Sequence, residues 1–331
     1  MSKKVVMNDV ARAAGVSIQT VSRVLNEHPA VSPTTRASVL AAVEALGYRP
    51  NLAARSLAAG SSKTVGVLLL TTVGHGSAAA FAEIVESARQ SGYHLVLTTA
   101  ESSSRESLRR AMDEMEGHRV SAVIVLARRA DVVKELASLS STMPRVLLAG
   151  STGSNGSFTV SVDHVAGARK VTRHLVDTGR TRLVHITGDL EYVDAILRRD
   201  AFLETADELG VEAHVVDGGG WSTEDGRRAA EEALGYSPDA IFASNDELAL
   251  GALRTLHDMQ VDVPREIAVA GFDDSPMSRC LVPSLTSVVQ DFRALGRSAM
   301  DLALAAATGG DPTDVLIPVR LVIRESTRSA R

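Results

Sequence analysis

The chain has 331 residues, a mildly acidic balance of 35 Lys and Arg against 40 Asp and Glu, and one cysteine. That length exceeds a single small domain and suits a short module joined to a large body. The lone Cys280 excludes an intrachain disulfide, and a charged start (Lys3, Lys4) with no apolar stretch anywhere of spanning length leads to the expectation of a cytoplasmic protein without a membrane partner.

From the N-terminus, Met7–Ala14 (MNDVARAA) reads as a short helix, Gly15-Val16 as a tight turn, residues 17–26 (SIQTVSRVLN) as a second helix and residues 34–46 as a third. Gly15 stops the first helix where a side chain would be penalised, and Ser17 follows as the N-cap of the second. Val10, Ala14, Val16, Val21 and Leu25, with Val39, Leu40 and Val43, form the expected core of this helix-turn-helix. Ile18, Gln19, Ser22 and Arg23 fall on the outer face of the second helix. In such a motif that face enters the major groove, where Gln suits adenine and Arg suits guanine. Ile18, Gln19 and Arg23 are therefore the expected base readers, and Ser17, Thr20 and Ser22 the expected phosphate contacts; Arg23 has the alternative of a phosphate clamp. Charge agrees: residues 1–60 hold seven basic and three acidic side chains, a net +4 that leaves the remainder at −9.

Gly47 to Asn51 ends the third helix, and Asn51 can cap a brief helix over residues 52–59 before Gly60-Ser61-Ser62 loosens the chain. Beyond it the pattern alternates between β and α. Strands are expected at 65–70, 93–98, 120–126, 145–148, 182–187, 212–216, 240–243 and 267–271. Helices are expected at 81–91, 106–116, 132–139, 166–178, 198–209, 224–234 and 246–259, with 302–308 as ordinary helix. The fold class is an all-α headpiece followed by an α/β body of two doubly wound parallel sheets. Ligands of such sheets sit outside the carboxyl ends of the strands, so the cleft between the two lobes is the natural site.

The run NDVARAAGVSIQTVSRVLN, with VSPTTR and ALGYRPN, resembles the DNA-binding domain of the LacI/GalR family of bacterial regulators, and the resemblance extends along essentially the whole chain. It implies a headpiece at 1–50, a hinge helix and linker at 51–62, and a periplasmic-binding-protein-like body at 63–331. The body's N-lobe would span about 63–162 and 291–320, and its C-lobe about 163–290 and 321–331. By the same resemblance Asn51 belongs to the DNA contacts, and Leu57 is an apolar wedge that enters the minor groove beside its dimer mate. His75, Asp163, Arg198, Trp221, Asn245, Asp273, Gln290 and Phe292 fall at effector-site positions, a set of bidentate and aromatic groups suited to a sugar ring. Asp246 either caps the helix it opens or joins that set, and Asp274 is expected to form an ion pair at the interlobe boundary. Two departures stand out: Ala166, where some members carry an acid, and Ile196, where many carry an arginine. The leucine-heptad tail of tetrameric members is not seen, so a homodimer on an inverted-repeat operator is expected.

The implied function is a repressor released by a sugar; the alternative keeps the fold and replaces the inducer with a corepressor or a non-sugar ligand. An enzyme is disfavoured by the lack of a phosphate-binding glycine fingerprint, a Walker motif or GxSxG. An exported sugar-binding protein would not carry residues 1–60. The nine histidines show no metal-ligand spacing, so neither metal nor cofactor is expected.

Overall fold

A computed structural model describes residues 5–25, 28–49, 62–70, 75–101, 104–139, 143–149 and 158–328. The chain divides into two compact units, Met1–Ser62 and Lys63–Arg331.

In the first unit, α1 (Met7–Ala14), α2 (Ile18–Leu25) and α3 (Pro33–Ala45) form the headpiece. Gly15 closes α1 at φ 65°, in the left-handed region open to glycine. Ser17 Oγ accepts from the Thr20 amide at 3.1 Å, the cap anticipated for α2. Helix α3 starts one residue earlier than the sequence pattern suggests, because Pro33 occupies its first turn and Ser32 Oγ accepts from the Thr35 amide at 3.2 Å. Val10, Val21 and Val39 are fully buried together with Ala11, Val24, Ala42 and Tyr48, and Ala14, Val16, Leu25 and Val43 pack around them. Leu40 does not join this core: it is 49% exposed. The inward positions of α3 are Val39 and Ala42, and Leu40 lies about 100° further round the helix.

The second unit holds two six-stranded sheets. The first comprises β1 (Thr64–Leu70), β2 (His94–Ala100), β3 (Val123–Ala127), β4 (Arg145–Ala149), β5 (Phe158–Val162) and β11 (Asp314–Ile317), in the order β11-β5-β4-β3-β1-β2 and parallel throughout. The second comprises β6 (Arg182–Thr187), β7 (Glu212–Asp217), β8 (Ala240–Ala243), β9 (Ala268–Asp273), β10 (Thr286–Val289) and β12 (Arg320–Val322), in the order β12-β10-β9-β8-β6-β7. Only its edge strand β12 runs antiparallel, against β10. β1 is buried from Val65 to Leu70, as a strand covered on both faces must be.

Helices α4 (His75–Gln90), α5 (Arg105–Gly117) and α6 (Ala130–Ser138) belong to the first lobe. α7 (His164–Asp177), α8 (Val193–Leu209), α9 (Thr223–Leu234) and α10 (Asp246–Asp258) belong to the second. α11 (Phe292–Ala307) returns to the first lobe and packs on α4, where Gly296 lets the helices approach: a Cβ there would lie 2.7 Å from the Ala80 carbonyl oxygen. The chain therefore passes between lobes after β5, after β10 and after β11, and the strand ends of both sheets face one cleft. Among the described residues no helix is long and apolar enough to cross a membrane.

Candidate functional site

The cleft encloses a cavity of about 470 Å³ lined from both lobes. Among its lining residues is Arg198, on the buried side of α8 and 1% exposed. A buried guanidinium is costly unless its charge and donors are met. Here it donates to the Ser244 carbonyl oxygen and, at 3.2 Å, to His164 Nδ1, and lies 3.7 Å from Asp194 and 4.0 Å from Asp273. The Phe272 ring lies 3.8 Å beneath it, at cation–π distance. Burial, helped by the charge of Arg198, pushes His164 down to about 3, so its ring is neutral and Nδ1 is free to accept.

The two aspartates around Arg198 differ in protonation. For Asp194, burial would favour the neutral acid, but Arg128 and Arg198 outweigh it and hold the carboxyl at about 2. For Asp273, burial dominates and the nearby Asp246 adds to it, pushing the carboxyl up to about 7 against the pull of Arg198 and Arg128. Gln290 donates to Asp273 Oδ1, and Asp273 holds a φ of 106°, outside ordinary side-chain backbone space. The cavity thus presents one fixed anion and one carboxyl able to donate or accept near neutral pH.

An aromatic wall faces these charges. Trp221 meets Tyr192 edge-on at 5.8 Å, and the Arg128 guanidinium lies 5.1 Å from each ring centroid. The Trp221 ring lies so close to Gly188 that a Cβ at that residue would come within 2.4 Å of it. Asn245 supports this wall from behind: its Oδ1 caps α10 by accepting from the Leu248 amide at 2.8 Å, and its Nδ2 donates to the Trp221 carbonyl oxygen at 3.1 Å.

Of the residues singled out in the sequence, Arg198, Trp221, Asn245, Asp273, Gln290 and Phe292 line the cavity. Asp163 does not: its carboxylate caps α7, accepting from the Ala166 amide at 2.8 Å. His75 opens α4, and its side chain lies outside the described residues. Asp246 neither caps α10 nor reaches the cavity; it anchors the segment after β9 through Ser275 N (2.7 Å), Ser278 Oγ (2.5 Å) and Ser287 Oγ (2.6 Å). Asp274 pairs with Arg324 at 2.6 Å, inside the second lobe rather than between lobes.

Sequence reasoning missed Arg128, Ser161, Tyr192 and Asp194, all of which line the cavity. Arg128 follows β3 directly, so the rule that directs attention to polar residues after strands would have found it. In the headpiece Ile18, Gln19 and Arg23 are exposed along one side of α2. Ser17 and Thr20 are also bonded to each other, Oγ to Oγ1 at 2.9 Å, and Ser22 is half-buried. Asn51 and Leu57 lie outside the described residues, as does the predicted helix over 52–59. Among the described residues no group of side chains is arranged to hold a metal.

A helix-turn-helix unit joined to a two-lobed body with a polar cleft defines a DNA-binding regulator with a small-molecule site. The comparisons with known proteins give the family: the chain belongs to the LacI family of bacterial transcriptional regulators. Residues 6–51 match the family described as bacterial regulatory proteins, lacI family, and residues 172–327 match the periplasmic binding protein-like domain. The regulator GalS of Salmonella typhimurium is 35% identical over 310 residues, covering 92% of this chain and 91% of GalS. The lactose operon repressor of Escherichia coli is 32% identical over 328 residues, covering 98% of this chain and 91% of that protein. The crystal structure of a lac repressor dimer bound to operator and the anti-inducer ONPF superposes with a TM-score of 0.90 at 32% identity, over 99% of this chain and 100% of the other. A complex of the regulator CelR with cellobiose superposes with a TM-score of 0.72 at 28% identity, over 97% of this chain and 99% of the other. These relatives are regulators of transcription, and so is this protein; it is not an enzyme.

Proposed function

We propose that this regulator represses carbohydrate-utilisation genes and leaves its operator when a sugar enters the cleft. The observation that carries this reading is the cavity lining, which combines the polar side chains of Ser161, Asp194, Arg198, Asp273 and Gln290 with the rings of Tyr192, Trp221 and Phe292. Asp194 accepts, and the serine donates or accepts. A polyhydroxylated ring offers both functions at several positions, and its C–H face suits Trp221 and Phe292. Arg198, Asp273 and Gln290 supply the remaining polar contacts, and Asn245 acts by fixing the Trp221 loop. The likeness to the lactose operon repressor and to CelR in complex with cellobiose supports this reading.

At the other end Ile18, Gln19 and Arg23 read base edges while Ser17, Thr20 and Ser22 hold phosphates. A homodimer sets two such faces on an inverted repeat, with Asn51 and Leu57 serving at its centre. The test is fluorescence anisotropy of the protein on the intergenic DNA beside its own gene, at stated salt, with a panel of mono- and disaccharides. Tight binding released by one sugar establishes the reading. Tight binding indifferent to every sugar, with no heat of sugar binding by calorimetry, sinks it in favour of a corepressor or another ligand class.

A further inference from the structure

The two lobes are joined at the cavity by more than the chain crossings. Arg128 leaves β3 of the first lobe and ion-pairs with Asp194 on α8 of the second, and its neighbour Arg129 pairs with Glu191. Backbone joins backbone at the same place: Val193 N donates to the Arg128 carbonyl oxygen at 2.9 Å, and Arg129 forms an antiparallel bridge with Tyr192. Asp194 is 3% exposed and Arg129 14%. Among the described residues these are the ion pairs that join the lobes.

The placement of the Arg128–Asp194 pair sets it apart from a surface salt bridge. Asp194 is shared, since Arg198 lies 3.7 Å from the same oxygen that Arg128 engages. The other oxygen, Oδ1, is buried without a hydrogen-bond partner, so the charge of Asp194 depends on these two cations. The Arg128 guanidinium simultaneously covers the faces of Tyr192 and Trp221. An opening of the lobes would strip Asp194 of one of its two cations and bare two aromatic rings, which a buried carboxylate and a cation–π contact both resist.

We propose that Arg128 is a positioning residue for the effector: through Asp194 and the 128–129/191–193 strap it clasps the lobes before any ligand arrives and holds the cavity wall that both lobes build. The effector then binds a preorganised cleft and is spared the cost of closing it.

The test needs no ligand, so its failure leaves the sugar reading standing, and the failure of every sugar leaves the clasp standing. Spin labels are placed at Arg110→Cys on α5 and Glu224→Cys on α9, both exposed, in a Cys280→Ser background and diluted with unlabelled protein. The pulsed-resonance distance distribution of the ligand-free full-length protein should be single and narrow. Arg128→Met and Asp194→Asn should broaden it and move it to longer distance, and Arg128→Lys should restore most of the short-distance population. Should either single variant fail to fold, Arg128→Ala combined with Asp194→Asn leaves no unpaired carboxylate at the clasp and should show the same broadening. A broad, open distribution in the parent protein, or distributions in the variants that overlay the parent, would overturn the clasp.

Discussion

Asp273 is a buried side chain whose charge is open to change near neutral pH. Its carboxyl titrates at about 7 in the folded protein against an ordinary value of 3.8, because burial and the neighbouring Asp246 outweigh Arg198 and Arg128. Between those two values the folded chain binds more protons than the unfolded one, so the stability this group contributes is full at low pH and is lost as pH rises through 7. The size of the loss is on the order of a few kcal/mol at most. Asp273→Asn removes the titration. Melting temperatures of parent and variant from about pH 5 to pH 8 should therefore diverge, with the parent losing ground as pH rises; parallel profiles would show that Asp273 is ionised throughout. Gly188 gives a second prediction at this scale. A Cβ at Gly188 would meet the Trp221 ring at 2.4 Å, so Gly188→Ala must displace the aromatic wall. Trp221 is the only tryptophan, and intrinsic fluorescence reports on it directly. The variant should show a shifted emission maximum and about 10-fold or weaker sugar affinity, on the scale of one lost aromatic contact of 0.5–1.5 kcal/mol or more, with operator affinity at the parent level. Arg198→Ala should lose sugar binding altogether, read by calorimetry, again with operator affinity retained.

At the scale of elements, α2 is found within one residue at each end of the span read from the sequence. Ser17 caps it, Val21 and Val24 bury its inner face, and Ile18, Gln19 and Arg23 remain outside. Gln19→Ala should weaken operator binding by about 1–3 kcal/mol and relax discrimination at a single position of each half-site, measured with operators substituted one base pair at a time. Uniform weakening over all substitutions would assign Gln19 to the phosphate backbone instead. Such legibility follows from local signals, since caps, turn glycine and 3.6-residue periodicity all act within the headpiece. Where the signals are long-range the sequence was less readable. β5 (FTVSV) escaped notice because its polar Thr159 and Ser161 are buried, and it is held between β4 and a strand that arrives only at residue 314. The start of α8 was placed at residue 198 rather than Val193 because Tyr192 supplies no side-chain cap. That single misplacement hid Asp194, one turn before Arg198 on the same inner face. The eventual burial of Arg198 was legible only through family resemblance, since an arginine in an isolated helical pattern reads as a solvent-facing charge.

At the scale of the whole molecule, two ligands must report to each other through one chain. The headpiece carries +4 and the remainder −9, so attraction to phosphate is confined to the DNA-facing end, and operator affinity should fall steeply and linearly in log–log form with added salt. A sugar binding in the cleft alters little of that charge, so it can act only by shifting the population of DNA-competent protein. Linkage then fixes a number that either ligand must obey. If the sugar weakens operator binding by a given factor, saturating operator must weaken sugar binding by that same factor, and couplings of this kind are typically about 5–150-fold. Calorimetry of the sugar with and without excess operator, set beside anisotropy of the operator with and without saturating sugar, measures the two factors independently. Equal factors above about 5 establish that cleft and headpiece belong to one two-state equilibrium. A sugar that binds the cleft with the same affinity whether or not operator is present would show that it leaves the DNA-reading end untouched, and the repressor would then answer to some other signal.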